Sequence, residues 1–526
     1  MKLADIRRRL ANWIAPAKGR GQRLYGGARH TRTTLGFGGS AGSADAELSS
    51  SLTTLRSRSR QMVRDNAYAK RAKAIIVNNI VGSGVGMQAQ VRTTRDDLAK
   101  GVNDAIEWAW LEWMAADSSH TGGTLHFHDL ERAAMGEVFE AGEALIRVHL
   151  RPFGGSAVPL ALELIEAERL ATDHHELMGV GIGNEVRMGV EVDRYQRPVA
   201  YWLRQRHGGD IRVRMDSMTD RVERVPADEI FHLKLTTRWP QTRGEPWLHT
   251  VLRKLDDMGE YTQHEVTAAR ASAAYFATIE TPEAQSPLPT DEGADGKAVM
   301  DIEPLMIQEL APGEKLSYHA PNRPNSALEG FMRAMLREVA AGTGTSYESL
   351  SRDYSQSNYS SSRLALLDDR DLYKSMQQWW LRSFRQPLHK MWLQQAVLAR
   401  AITAIPLEAY AVAPQRYEAV LFKVRGWSWV DPTKEVNAYK EAIKAGLTTL
   451  TDVIAQTADG RDIEDVIATR QRELQMLADA GILTDTEVLP QPEPVAPPPA
   501  DPEPEPEDDD DEGAAADQAQ RIKRVA

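Results

Sequence analysis

The chain has 526 residues, 42% of them hydrophobic and 26% charged, with no cysteine and a formal net charge of −12. That length exceeds one small core and predicts two or three folded regions. The lack of cysteine excludes disulfide staples, thiolate zinc sites and cysteine nucleophiles. Charge is unevenly spread: residues 1–48 carry +6, residues 489–526 carry −8, and the middle about −10. An acidic body argues against a broad face that grips nucleic acid by neutralising phosphates, though not against one that surrounds DNA and lets it slide. No stretch approaches the roughly 18 apolar residues of a membrane span.

In chain order, residues 1–50 read as a flexible basic arm rich in Gly, Ser and Arg. Within it Leu3, Ile6, Leu10, Trp13 and Ile14 recur at helical spacing around Arg7, Arg8 and Arg9. That fits either a short basic amphipathic helix ended by Pro16 or a solvated arm. Residues 51–245 predict an α+β domain. Helices are expected over "LRSRSRQMVRDNAYAKRAKAIIVNNIVG", "GVNDAIEWAWLEWMAAD" and "HDLERAAMGEVFEAG". Strands are expected over "ALIRVHL", "PLALELIEA", "VRMGVEVD", "PVAYWLRQR" and "EIFHLKL", with "DRYQRP" as a hairpin turn.

Residues 246–278 predict one long helix, a rod of roughly 50 Å. Its stripe of Leu248, Leu252, Leu255, Val266, Ala269, Ala273 and Phe276 is too narrow for a monomer core and suits packing against copies of itself. A Pro- and Gly-rich region with short β segments fills 279–325, and a second helix covers 326–344. The polar stretch "TSYESLSRDYSQSNYSSSR", 345–363, holds eight serines and three tyrosines. Residues 364–430 predict a long helix kinked at Pro387, followed by a strand region. Residues 431–485 form a helical module with Asp431 as N-cap and Pro432 at the first helical position. The end, 486–526, is an acidic Pro-rich tail.

Chemistry-bearing motifs are few. Gly296-Lys297 lacks the preceding Gly and the following hydroxyl of a phosphate loop. "GSGVG" at 82–86 follows a helix, where a dinucleotide fingerprint needs a strand, so it reads as a helix stop and turn. His126, His128, Asp129 and Glu131, with Asp173 to Glu176, hold metal-ligating side chains, but their spacing matches no metal motif, and Asp129 suits a helix start. No Gly-x-Ser-x-Gly elbow marks a serine nucleophile. No cofactor is therefore expected. The serine–tyrosine stretch suits weak contact with a polyanion through Arg352, Tyr354, Asn358, Tyr359 and Arg363.

Several stretches in order, "RDNAYAKRAKAIIVNNIVGSGVG", "EVFEAGEALIRVHL", "VPADEIFHLKLTTRWPQTRGEPWL", "SYESLSRDYSQSNYSSSRLALL" and "WVDPTKEV", resemble the portal proteins of tailed bacteriophages of the lambda type. The resemblance runs from about residue 50 to 480 and leaves out both tails. It implies a non-enzymatic subunit of a twelve-membered ring at one capsid vertex, through which double-stranded DNA is packaged and ejected. By position, 51–245 resembles the wing, 246–278 and 326–344 the two stem helices, 279–325 the clip, 345–363 the tunnel loop and 431–485 the crown. The segment 364–430 would return to the wing. The implied partners are the ring itself, DNA, the large subunit of the terminase motor, major capsid and scaffold proteins, and head–tail connector proteins. The implied location is the virion, after assembly in the host bacterial cytoplasm. Two other readings stay open on the residues: a metal-dependent nucleic-acid hydrolase using the histidines, and a head–tail adaptor or minor capsid protein.

Overall fold

A computed structural model describes residues 42–93, 98–180, 183–210, 221–273, 277–280, 291–292, 298–299, 315–318, 327–427, 432–457 and 463–481. The chain divides into two units, 1–432 and 433–526. The first described element of this unit is helix α1 (Ala44–Asp65), whose Ser43 cap accepts from the Ala46 N–H. The first residues of this helix fall within the 1–50 span expected as an arm, because Ser43 with Asp45 and Glu47 in the first turn makes a helix start. The single helix expected from residue 51 is interrupted at Asn66. This residue turns extended and accepts from the Tyr68 and Ala69 N–H groups to start α2 (Ala67–Ile80).

Next come β1 (Gly86–Ala89), α3 (Lys100–Trp113), the one-turn α4 (Ala116–Ser119) and α5 (Phe127–Ala141). Gly142 ends α5 at φ +87° and hands the chain to β2 (Glu143–His149). The strands β3 (Ala161–Ile165) and β9 (Ile230–Lys234) flank β2 in a three-stranded antiparallel sheet. The intervening β4 (Glu176–Val180), β5 (Asn184–Arg187), β6 (Val190–Val192), β7 (Pro198–Arg204) and β8 (Val222–Pro226) form a five-stranded meander. The segment expected as one strand, "VRMGVEVD", is a hairpin. Met188 and Gly189 both sit at positive φ, as a two-residue turn favours. Strand β8 is an edge strand with only Val225 buried, so its sequence carries no apolar alternation.

Because successive strand residues point to opposite faces, β2 serves two cores. Ala144, Ile146 and Val148 pack with the helices, whereas Leu145 joins Ile165, Val190, Tyr201 and Val225 between the two sheets. Both faces of β2 are therefore covered, and its first four residues are all buried.

A 3₁₀ turn (Trp247–Thr250) leads into α6 (Leu252–Ala273), so the expected 246–278 helix is shorter at both ends, with β10 (Ala277–Glu280) already extended at Thr278. Strands β11 (Asp291–Glu292), β12 (Ala298–Val299) and β13 (Lys315–Tyr318) follow, β10 pairing with β13 and β11 with β12. Helix α7 (Leu328–Thr343) returns against α6. Leu255, Met258, Leu336 and Val339 are buried there, Trp247 donates to the Thr343 carbonyl at 2.9 Å, and Lys254 pairs with Glu338 at 3.2 Å. Beyond Met258, no side chain of α6 through Arg270 is buried.

The entry into α6 is fastened to the α+β body by Glu143, which is fully buried. Its carboxylate accepts from Arg243 Nε at 2.7 Å, from the Gly244 N–H at 2.7 Å and from Arg56, and meets His232 Nε2 at 2.9 Å. Gly244 is required here, since a Cβ would lie 2.1 Å from the Gly142 carbonyl oxygen.

After the short α8 (Tyr347–Ser351), α9 (Tyr359–Trp380) continues through a π-helical turn (Leu381–Arg385) into α10 (Gln386–Leu398). The irregularity expected at Pro387 falls just before it, where the widened turn absorbs the missing proline N–H. Helices α11 (Leu407–Val412) and α12 (Pro414–Tyr417) precede β14 (Val420–Lys423), which pairs with β1. Helix α13 (Pro432–Lys444) starts at the expected proline, while Asp431 lies outside the described residues. Helices α14 (Leu450–Thr457) and α15 (Ile463–Asp479) belong to the second unit, with α14 started by reciprocal bonds between Thr449 and Asp452.

Candidate nucleic-acid interface

The polar segment between α7 and α9 is built by its own short-range bonds. Helix α7 stops at Gly344, in the left-handed region at φ +69°, and the buried Thr343 hydroxyl donates back to the Val339 carbonyl. Leu350 pins α8 to the core. Ser346 donates to Asp369 at 2.7 Å and Ser349 at 3.3 Å, tying the segment to α9. Burial pushes the Asp369 carboxyl up, against these two hydrogen bonds that favour its charged form.

Asp353 organises the turn. Its carboxylate accepts from the Ser355 hydroxyl at 2.6 Å, from the Ser355 N–H at 3.0 Å and from the Tyr347 hydroxyl at 2.7 Å. These bonds, led by that of Ser355, hold its pKa down at about 2. Five of the eight serines, 346, 351, 355, 357 and 361, donate their hydroxyls inside the segment in this way, and Ser349 donates to Asp369. Local bonding of this kind is what Ser and Asp do in turns.

The five residues expected to meet a polyanion therefore divide. Arg352 closes α8 at φ +58°, its N–H donating to the Glu348 carbonyl, and its side chain is exposed. Tyr354 is 60% exposed at the tip. Asn358 is the N-cap of α9: its side chain accepts from the Ser361 N–H at 2.8 Å, and Ser361 Oγ accepts from the Asn358 N–H at 3.2 Å. Tyr359 begins that helix, with its side chain outside the described residues, and Arg363 is half-buried in its second turn. The segment thus presents a guanidinium and a phenol on a backbone fixed from within, groups that bond phosphate oxygens. Sequence reasoning missed Asp353 as the organiser, although Asp followed two residues later by Ser is the signal of such a turn.

The histidines take other roles. His126, not Asp129, caps α5, its ring accepting from the His128 N–H at 3.3 Å. His128 pairs with the buried Glu131 at 3.0 Å, and His174 packs on Trp202 with ring centres 4.6 Å apart. Asp173 is bound by Arg204 and His175 accepts from the Met188 N–H. Among the described residues no three His, Asp or Glu side chains converge as a metal site would need.

Comparison with known proteins bears on the whole of this architecture. A family model described as "Phage portal protein, lambda family" matches residues 30–377. A probable portal protein of Halomonas phage phiHAP-1 is 29% identical over 472 residues, covering 88% of each chain. The portal protein of Escherichia phage N15 is 23% identical over 85% of this chain and 90% of its own. Portal protein B of Escherichia phage lambda is 22% identical over 85% and 89%. Among solved structures, a chain in the neck of an empty gene transfer agent particle aligns over 76% of this chain and 92% of its own, at 13% identity and a TM-score of 0.41. The family match spans the α+β body, both helices α6 and α7, the polar segment and most of α9, and so the chain belongs to the lambda-family phage portal proteins, which are structural components and not enzymes.

Proposed function

We propose that this chain is the subunit of a twelve-membered portal ring at one capsid vertex, a conduit through which double-stranded DNA enters and leaves the particle. In this reading α6 and α7 are the stem, the strands between them belong to the clip that receives the terminase large subunit, and later the head–tail connector proteins. The body meets major capsid and scaffold proteins, 345–363 lines the tunnel, and 431–485 is the crown. Assembly takes place in the host bacterial cytoplasm and the mature ring stays in the virion.

The observation that carries the reading is the bare outer half of the helix pair. Val266 and Phe331 are 50% and 43% exposed, on helices whose inner halves hold the buried Leu255, Met258, Leu336 and Val339. A thin rod of this kind gains cover from neighbouring copies in a closed ring. The polar segment supports the conduit role: it offers few cations, so moving DNA releases few counterions and is not gripped.

Native mass spectrometry with negative-stain imaging of the purified chain tests the ring. About twelve subunits around a central hole is the expected result. A monomer that joins only a preformed portal would replace this reading with the adaptor. For the loop, Tyr354→Ala with Tyr359→Ala should leave rings intact and lower the yield of filled heads. A normal yield removes these residues from the conduit.

A further inference from the structure

The glycine-rich stretch at 82–86 does more than stop α2. Gly82 and Gly84 take φ of +65° and +120°, and side chains press on the stretch from three sides. A Cβ on Gly82 would meet Arg425 at 3.3 Å, one on Gly84 would meet the His128 ring at 2.2 Å, and one on Gly86 would meet Lys423 at 3.2 Å. Gly82 and Gly84 line a cleft of about 520 Å³ together with Asn78, Ser83, Arg132, Lys423 and Arg425, and among the described residues no carboxylate lines it.

Two of the three cations are held in place. Arg132 donates to the Gly82 carbonyl and, at 3.0 Å, to Asn78 Oδ1, and Arg425 donates to the Asn78 carbonyl at 2.5 Å. These bonds offset the negative end of α2 and fix both guanidiniums before any ligand arrives. Each guanidinium carries five N–H donors, so donors remain for a ligand. The Lys423 ammonium and the Ser83 hydroxyl make no hydrogen bond or ion pair among the described residues.

From this cleft we infer a second nucleic-acid contact, in which Arg132, Lys423, Arg425 and Ser83 hold a backbone phosphate of duplex DNA, away from the 345–363 segment. The inference rests on the portal reading for its source of phosphate. A concave site lined by three cations and, among the described residues, by no acid focuses positive potential even in a chain of net charge −12. Guanidinium, ammonium and hydroxyl together are the groups that bind phosphate oxygens. Such a site would hold DNA at one local point, which agrees with an acidic body that cannot bind it broadly.

The test uses the full-length protein, a fluorescent 25-base-pair duplex and a series of salt concentrations, with ring formation checked in the same samples. Lys423 is exposed and has no partner among the described residues, so Lys423→Glu should leave the rings unchanged. It should weaken duplex binding about tenfold at low salt and make the salt slope shallower by about one. Lys423→Arg should restore both, and Ser83→Asp should weaken binding independently. Intact rings that bind DNA identically in wild type and Lys423→Glu overturn the cleft and leave the portal reading standing, whereas loss of ring formation in the wild type overturns the portal reading. If inorganic phosphate or a nucleotide binds in a Lys423-dependent manner and duplex DNA does not, the ligand is a free phosphate compound and the DNA assignment falls. Lys423-dependent binding of polyglutamate without duplex binding overturns it in favour of an acidic protein partner.

Discussion

Glu143 has no solvent exposure, yet two guanidiniums, an imidazole and a backbone N–H converge on it. Burial alone would raise its pKa, but Arg243 and Arg56 hold it well below the usual 4.5. Glu143→Gln keeps the shape and leaves two buried cations short of a counter-charge, so a loss of about 3–5 kcal/mol is expected from urea unfolding. The native carboxyl titrates below the unfolded one. Its stabilisation is therefore complete above about pH 4.5 and is lost as pH falls further.

His389 acts in a higher window. Burial, then Arg385 and Lys390, lower its pKa from 6.5 to about 4, and it packs on Trp392 with ring centres 6.2 Å apart. The unfolded chain binds this proton more readily, so stability rises with pH between 4 and 6.5, by about 3 kcal/mol over the whole span. Melts at pH 7, 5.5 and 4.5 should reveal that slope in the wild type, and His389→Leu should flatten it.

At the scale of elements, Asn358 is a cap before it is anything else. Asn358→Ala removes the side-chain half of its reciprocal bonding with Ser361, the acceptor for the Ser361 N–H, and should cost about 1 kcal/mol, read as a lower Tm and faster amide exchange over the first turn of α9. Asn358→Asp, which retains the acceptor, should keep both near wild type. A direct part in DNA contact would separate these variants differently, because the added negative charge of Asp would repel phosphate while preserving the helix start. The hydroxyl-rich composition of 345–363 thus has a local cause: serines and Asp353 replace the backbone bonds that two nearby helix ends leave open.

For the whole molecule, the uneven cover along α6 and α7 separates folding from assembly. Leu255 and Leu336 belong to the core of the subunit, whereas Val266 and Phe331 lie on the exposed half. Leu255→Ala should therefore destabilise the monomer by about 2–5 kcal/mol. Val266→Asp with Phe331→Asp should leave the circular dichroism spectrum and melting of the subunit unchanged and reduce ring yield on size exclusion. A double variant that forms full rings would place the subunit contacts elsewhere.

Much of this was legible in the sequence because it depends on neighbours along the chain. Apolar spacing placed the main helices, alternation placed most of the strands of the α+β body, and Pro432 marked the start of a helix near the division between the two units. The ordered stretches from "RDNAYAKRAK" onward pointed to the family that the comparisons support. What escaped depends on groups far apart in sequence. Arg56, Glu143 and His232 come from three separate elements and Arg243 from the loop before α6, and only packing brings them together at one carboxylate. Arg132 and Arg425 meet over "GSGVG" because β14 pairs with β1, a contact between strands more than 300 residues apart. Local composition determined where helices, strands and turns would form. The tertiary structure decided which charges are buried, which are left facing a cleft and which half of a helix stays bare, because desolvation and proximity are properties of the folded surface.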